Sequence, residues 1–189
     1  MINIQTIKSR ILDKKVKVGV IGLGYVGLPL ALLISKKGFT TYGFDIDIKK
    51  IKNLKEKKSY IPHISSNQIK ESLNFFPTED FSKLKVCDVI IICVPTPTTE
   101  TNEPDLTAII QTSHTIMKYL TKGQIIILES TTYPTTTRNV VKPILEKSGL
   151  ICGKDFFLAF SPEREDPGKV AEAAKILENT FRAINNSTG

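Results

Sequence analysis

The stretch Val20-Ile21-Gly22-Leu23-Gly24-Tyr25-Val26-Gly27 decides the reading of this chain. An apolar run of strand length, 16–21, enters it, and a stretch of helix length, about 25–37, leaves it before Gly38 stops the helix. G-x-G-x-x-G at that junction has a mechanical meaning. Gly22 permits a tight turn, Gly24 lets the backbone approach a pyrophosphate, and Gly27 allows the helix to pack close to the strand. The helix start then offers free N–H groups and a favourable dipole to phosphate. A glycine-rich turn with no ligand is the plain alternative, and the strand-to-helix context argues against it.

Working outward, a second strand is expected over 39–45, ending on Asp45, 18 residues after Gly27. A carboxylate there accepts both ribose hydroxyls of an adenosine and repels a 2′-phosphate, which favours NAD over NADP. The competing reading makes Asp45 a cap for the next helix, a job for which Asp47 is better placed. A lysine-rich helix is expected from Ile48, Pro62 interrupts the pattern, and 67–73 reads as a short helix. Strands are expected at 86–94, 124–129 and 156–160, helices at 106–119 and 137–147, and a final helix at 170–184. Strands alternating with amphipathic helices indicate an α/β fold of Rossmann type. Its sheet is doubly wound and mostly parallel, with helices on both faces.

Composition narrows the function classes. The 189 residues fit one domain with a short appendage, and 41% hydrophobic content is ordinary for a globular chain. The net charge of +7 comes largely from lysines between Lys49 and Lys70. Without an arginine cluster or interleaved aromatics these read as a solvated helix face, so no nucleic-acid partner is expected. Cys87, Cys93 and Cys152 lack metal or disulfide spacing, and His63 and His114 stand alone, so no metal is expected. The polar N-terminus and the lack of a bilayer-length apolar run point to a cytoplasmic protein without membrane contact.

Several blocks resemble the UDP-glucose/GDP-mannose dehydrogenase family. They are Gly22 to Gly27, Asp45, Cys93-Val94-Pro95-Thr96-Pro97, Glu129-Ser130-Thr131-Thr132, and Phe160-Ser161-Pro162-Glu163-Arg164-Glu165-Asp166-Pro167-Gly168. Ser59-Tyr60-Ile61-Pro62-His63-Ile64 and the Pro-Glu-Arg-x-Asp-Pro-Gly run look most like the branch acting on UDP-N-acetylglucosamine. UDP-N-acetylmannosamine and UDP-glucose stay open as substrates. The resemblance implies two hydride transfers to NAD, taking a sugar C6 alcohol to a carboxylate. It implies that Tyr25, Val26, Asp45, Thr96 and Thr131 contact NAD, and that Thr131 and Glu163 position water or move protons near C6. The alternatives are hydroxyls that cap the following turns, and a Glu163 paired with Arg164 or another cation. One departure stands out: the family usually has glycine where this chain has Thr135, and threonine is costly if that turn needs a positive φ.

The last helix resembles the start of the family's interdomain helix. Val170, Ala173, Ala174, Leu177, Phe181 and Ile184 fall on one face, with Glu172, Lys175, Asn179 and Arg182 opposite. By resemblance Lys175 and Asn179 stabilise a developing oxyanion at C6; by pattern alone they sit on a solvated face. Only Lys169 and Val170 separate Gly168 from this helix, where the family inserts further sheet segments. The expectation is therefore an NAD-binding domain over 1–168, abridged at its C-terminal end, and a helix start over 169–189. By the resemblance, a second domain carrying a nucleophilic cysteine is expected to be missing from this chain. Such a chain binds NAD, is catalytically incomplete, and has an apolar helix face suited to a homo-oligomer. A non-catalytic NAD-binding or interaction module is the alternative.

Overall fold

A computed structural model describes residues 9–98 and 104–161. Six strands form one all-parallel sheet: β1 Lys17–Ile21, β2 Thr40–Phe44, β3 Phe75–Thr78, β4 Val89–Ile92, β5 Ile125–Leu128 and β6 Phe157–Phe160. Their spatial order is β3-β2-β1-β4-β5-β6. That is the order of a doubly wound dinucleotide-binding sheet, with the direction of winding reversing between β1 and β4. The expected α/β class is thus observed, with a sheet parallel throughout. The expected abridgement and the boundary at 168 lie outside the described residues, as does the 170–184 helix.

Alternation along each strand explains why helices cover both faces. Val18, Val20, Ile91 and Ile127 point into one core with Leu28, Ile34, Ile51, Leu54 and Ile69. These last come from helices α1 (Gly27–Lys36), α2 (Ile48–Lys55) and α3 (Ser66–Glu71). Ile90, Ile92, Ile126 and Leu128 point the other way, onto Ile109, Ile116, Val141 and Leu145. There the cover is α4 (Thr107–Tyr119) and α5 (Lys142–Glu146) with the turn that precedes it. Strands β4 and β5 are buried at every position, which is why they read as unbroken apolar runs.

Three local readings are corrected. Strand β3 was not expected, because it is four residues long and contains Pro77. Proline is tolerated there since β3 is an edge strand, where one N–H side needs no partner. The strand expected at 86–94 begins only at Val89, because Phe81–Val86 forms a 3₁₀ turn capped by Asp80. The helix expected at 137–147 opens with a wide π turn, Thr137–Val141, before becoming α-helical at Lys142.

Candidate functional site: the carboxyl edge of the sheet

The β1–α1 turn is held by neighbours on both sides. The Gly22 N–H donates to the Phe44 carbonyl at 2.8 Å, and the Cys93 N–H donates to the Ile21 carbonyl at 2.8 Å. Gly22 has φ = 92°, and a Cβ there would come within 2.6 Å of the Cys93 carbonyl oxygen. At Gly27 a Cβ would overlap the Gly22 carbonyl oxygen. Both glycines are therefore required by the fold itself.

Gly24 is different. A Cβ at Gly24 would meet no atom of the described residues within 4 Å, so a methyl group fits there. The N–H groups of Gly24, Tyr25 and Val26 donate to none of the described residues. Helix α1 carries no side-chain cap and no acidic residue in its first turn. By contrast, α2 is capped by Asp47 and α3 by a capping box between Ser65 and Gln68. Three adjacent N–H groups without a partner among the described residues, beside an open Cα at a helix start, suit an anion. This arrangement fits the pyrophosphate of a dinucleotide.

Asp45 follows β2 and is buried. Its Oδ2 accepts from the Leu23 N–H at 2.9 Å, and its Oδ1 from the Asp47 N–H at 2.9 Å. The Lys50 ammonium lies 3.2 Å from Oδ2. Asp47, not Asp45, caps α2, as the sequence suggested. Lys50 was missed because it sits within a lysine run that reads as solvent-facing. The signal available was its spacing: five residues beyond Asp45, on the first turns of the following helix, a lysine can reach back to the strand end.

Across the switch point, the loops after β4 and β5 are tied together. The Thr96 hydroxyl donates to the Thr131 carbonyl at 2.7 Å. Ser130, buried, donates to the Val94 carbonyl at 2.7 Å. The two threonines expected at the cofactor thus meet, though Thr96 spends its proton on the protein and has only lone pairs left for a ligand. Beyond them Thr135 has φ = 77°, so the turn keeps a left-handed residue and threonine occupies it. The Thr136 hydroxyl, donating to the Tyr133 carbonyl at 2.9 Å, and the Asn139 N–H, donating to the Thr135 carbonyl at 2.8 Å, hold that geometry. Gly22, Gly24, Tyr25, Val26, Gly27, Asp45, Thr96 and Thr131 therefore all lie at the carboxyl edge of the sheet. Glu163, Lys175 and Asn179 lie outside the described residues.

Tyr60 was also missed as a site residue. Its hydroxyl donates to the Leu23 carbonyl at 2.6 Å, and burial together with nearby Asp45 and Asp47 raises its pKa above the ordinary phenol range. Burial pushes the Cys87 thiol up to about 12 and raises that of Cys152, which leaves neither as a ready thiolate. No group of three or more His, Cys, Asp or Glu side chains is placed to hold a metal among the described residues. Among those residues no helix is long and apolar enough to cross a membrane.

Residues 16–179 match the UDP-glucose/GDP-mannose dehydrogenase family, NAD binding domain. The chain is similar to the UDP-N-acetyl-D-glucosamine 6-dehydrogenase of Pseudomonas aeruginosa, 38% identical over 215 residues, covering 91% of this chain and 51% of that protein. It is also similar to Protein CapL of Staphylococcus aureus, 37% identical over 211 residues, covering 89% of this chain and 49% of that protein. Among solved structures, the UDP-D-ManNAc dehydrogenase from Pyrococcus horikoshii superposes with a TM-score of 0.77 at 32% identity, covering 89% of this chain and 44% of that one. The chain spans about half the length of the curated relatives it matches. Both of those alignments are longer than the 189 residues of the chain itself, so each relative carries residues inside the matched span that have no counterpart here. The seat for a pyrophosphate, the sheet order and the matched span agree, and the chain belongs to the UDP-glucose/GDP-mannose dehydrogenase family through its NAD binding domain.

Proposed function

We propose that this chain is the cofactor half of a UDP-sugar 6-dehydrogenase, which keeps NAD binding and is incomplete for catalysis by itself. The observation that carries the first part is the row of N–H groups at Gly24, Tyr25 and Val26 that have no partner among the described residues, beside a Gly24 whose Cβ would meet nothing there within 4 Å. In this reading those groups hold the pyrophosphate, Asp45 and Lys50 hold the adenosine ribose, and Thr96 and Thr131 line the way to the nicotinamide. Bound NAD supplies a hydride acceptor for a C6 alcohol. Thr131 and Glu163 then position water or shuttle a proton at C6, and Lys175 and Asn179 oppose the oxyanion that develops there.

UDP-N-acetylglucosamine is the favoured sugar, on the 59–64 segment and on the names of the more identical relatives. Relatives named for UDP-N-acetyl-D-mannosamine keep that epimer as the next choice. The catalytic incompleteness rests on the residues that the relatives have inside the matched span and that have no counterpart here. A module that binds NAD without turning over a sugar is the second reading, and the same facts favour it. In either case the chain works in the cytoplasm, where nucleotide sugars are made, and associates with itself.

Calorimetric titration with NAD, with NADP, and with UDP-N-acetylglucosamine in the presence of NADH tests the whole reading. Binding of NAD in preference to NADP with no heat from the sugar is the expected result. Absence of NAD binding would overturn the cofactor assignment, and steady turnover of the sugar would overturn the claim of incompleteness.

A further inference from the structure

The dinucleotide turn is braced from outside by a segment that lies well beyond it in sequence. Leu23, at the centre of the turn, is fully buried and is held at both ends of its backbone. Its N–H donates to Asp45 Oδ2 at 2.9 Å, and its carbonyl accepts from the Tyr60 hydroxyl at 2.6 Å. A peptide unit is planar and trans, so its C=O and N–H point in opposite directions. Tying the Leu23 carbonyl to Tyr60 therefore fixes the Gly24 N–H to point away from Tyr60, and that N–H donates to none of the described residues.

The 59–64 loop is itself firmly held. Ser59 donates from its N–H to Ser66 Oγ at 3.1 Å and from its hydroxyl to the Ile61 carbonyl at 3.1 Å. Ile61 and Ile64 are buried in the same core as Leu23 and Leu28. His63 lies against Tyr25, with ring centroids 5.7 Å apart, so the loop touches the turn at two points rather than one.

We propose that the 59–64 loop is a brace for the dinucleotide turn, and that Tyr60 is its positioning residue, setting through the Leu23 carbonyl the direction of the Gly24 N–H toward the pyrophosphate; this rests on the NAD reading above. Tyr60 touches no reacting atom. Its hydroxyl is suited to the role because a short bond to a carbonyl needs a donor that stays protonated, and Tyr60 is held in that form by its surroundings.

Tyr60→Phe removes the hydroxyl and leaves the ring in the core. Losing one such bond is worth about a three- to tenfold change in an equilibrium. Two readouts are needed. In the ligand-free protein, amide hydrogen exchange at Leu23 is expected to accelerate about three- to tenfold, by more than at Ile91 and Ile127 in the central strands. By calorimetry, NAD affinity is expected to fall about three- to tenfold. Unchanged exchange at Leu23, or exchange that rises equally in the central strands, overturns the brace. Faster exchange with unchanged NAD affinity overturns the aiming role. Titration of the unsubstituted chain separates the two levels: if it binds no NAD, the cofactor reading fails and takes the aiming role with it, while the exchange data judge the brace alone.

Discussion

Two strand-to-helix turns on the same edge of the sheet are built in opposite ways. The turn after β1 takes its left-handed position with a glycine, Gly22, and ends in a helix whose first donors have no partner among the described residues. The turn after β5 takes its left-handed position with Thr135, a β-branched residue, and runs into a π turn before its helix begins. Threonine at φ = 77° is strained by about 1–3 kcal/mol, and only the surrounding bonds hold it there. The first turn is thus relaxed and fitted to a ligand of fixed shape. The second stores strain in the loop that carries Thr131, whose carbonyl accepts from Thr96. The difference teaches that the glycine turn after β1 and the strained loop after β5 are separable, and that substitutions can address them one at a time.

The largest effect is expected at Gly27→Ala, whose methyl group has nowhere to go but into the Gly22 carbonyl. Such a close backbone overlap costs about 3 kcal/mol, or about 6–12 °C in unfolding midpoint, measured by thermal denaturation. A midpoint within a degree of the parent would show that the turn is more pliable than its geometry implies. Next is Gly24→Val. Because a Cβ there meets no atom of the described residues within 4 Å, stability should move little, while NAD affinity falls at least about a hundredfold, equivalent to ~2.7 kcal/mol. Equal losses at both positions would erase the distinction between a glycine needed by the fold and one needed by the ligand.

Asp45→Arg should weaken NAD about tenfold and relax the bias against NADP, since it replaces a carboxylate by a cation at the ribose. An unchanged ratio of NAD to NADP affinity in competition binding would remove Asp45 from the ribose. The smallest change is expected at Thr135→Gly. Relief of strain outweighs the added freedom of the unfolded chain, and the net gain is about 1 kcal/mol, or about 2–4 °C. NAD affinity should be unaffected. A loss of stability would mean that Thr135 is held by favourable contacts rather than against its preference.

How much of this was legible in the sequence depends on whether a feature is local or relational. The glycine spacing and Asp45 could be read directly, because a tight turn and a strand-end carboxylate each follow from a few adjacent residues. The buried strands β4 and β5 were plain as apolar runs. Strand β3 was hidden because Pro77 argues against a strand unless it is known to lie at an edge. Lys50 looked like one lysine among many until the fold set it 3.2 Å from Asp45. Tyr60 could not be found at all from pattern, since its role is a single bond to a carbonyl 37 residues earlier. The cost of Thr135 was foreseeable only as a condition, and the left-handed φ supplies the condition.

The N–H groups of Gly24, Tyr25 and Val26, unpartnered among the described residues, are the proposed seat of the cofactor pyrophosphate. The most direct test is to assign the backbone amides by NMR and titrate the chain with NAD. These three amides are expected to shift most, with Leu23 following and the amides of β3 and β6 unmoved. Saturation with NAD that leaves these three in place, or shifts centred elsewhere on the molecule, would contradict it.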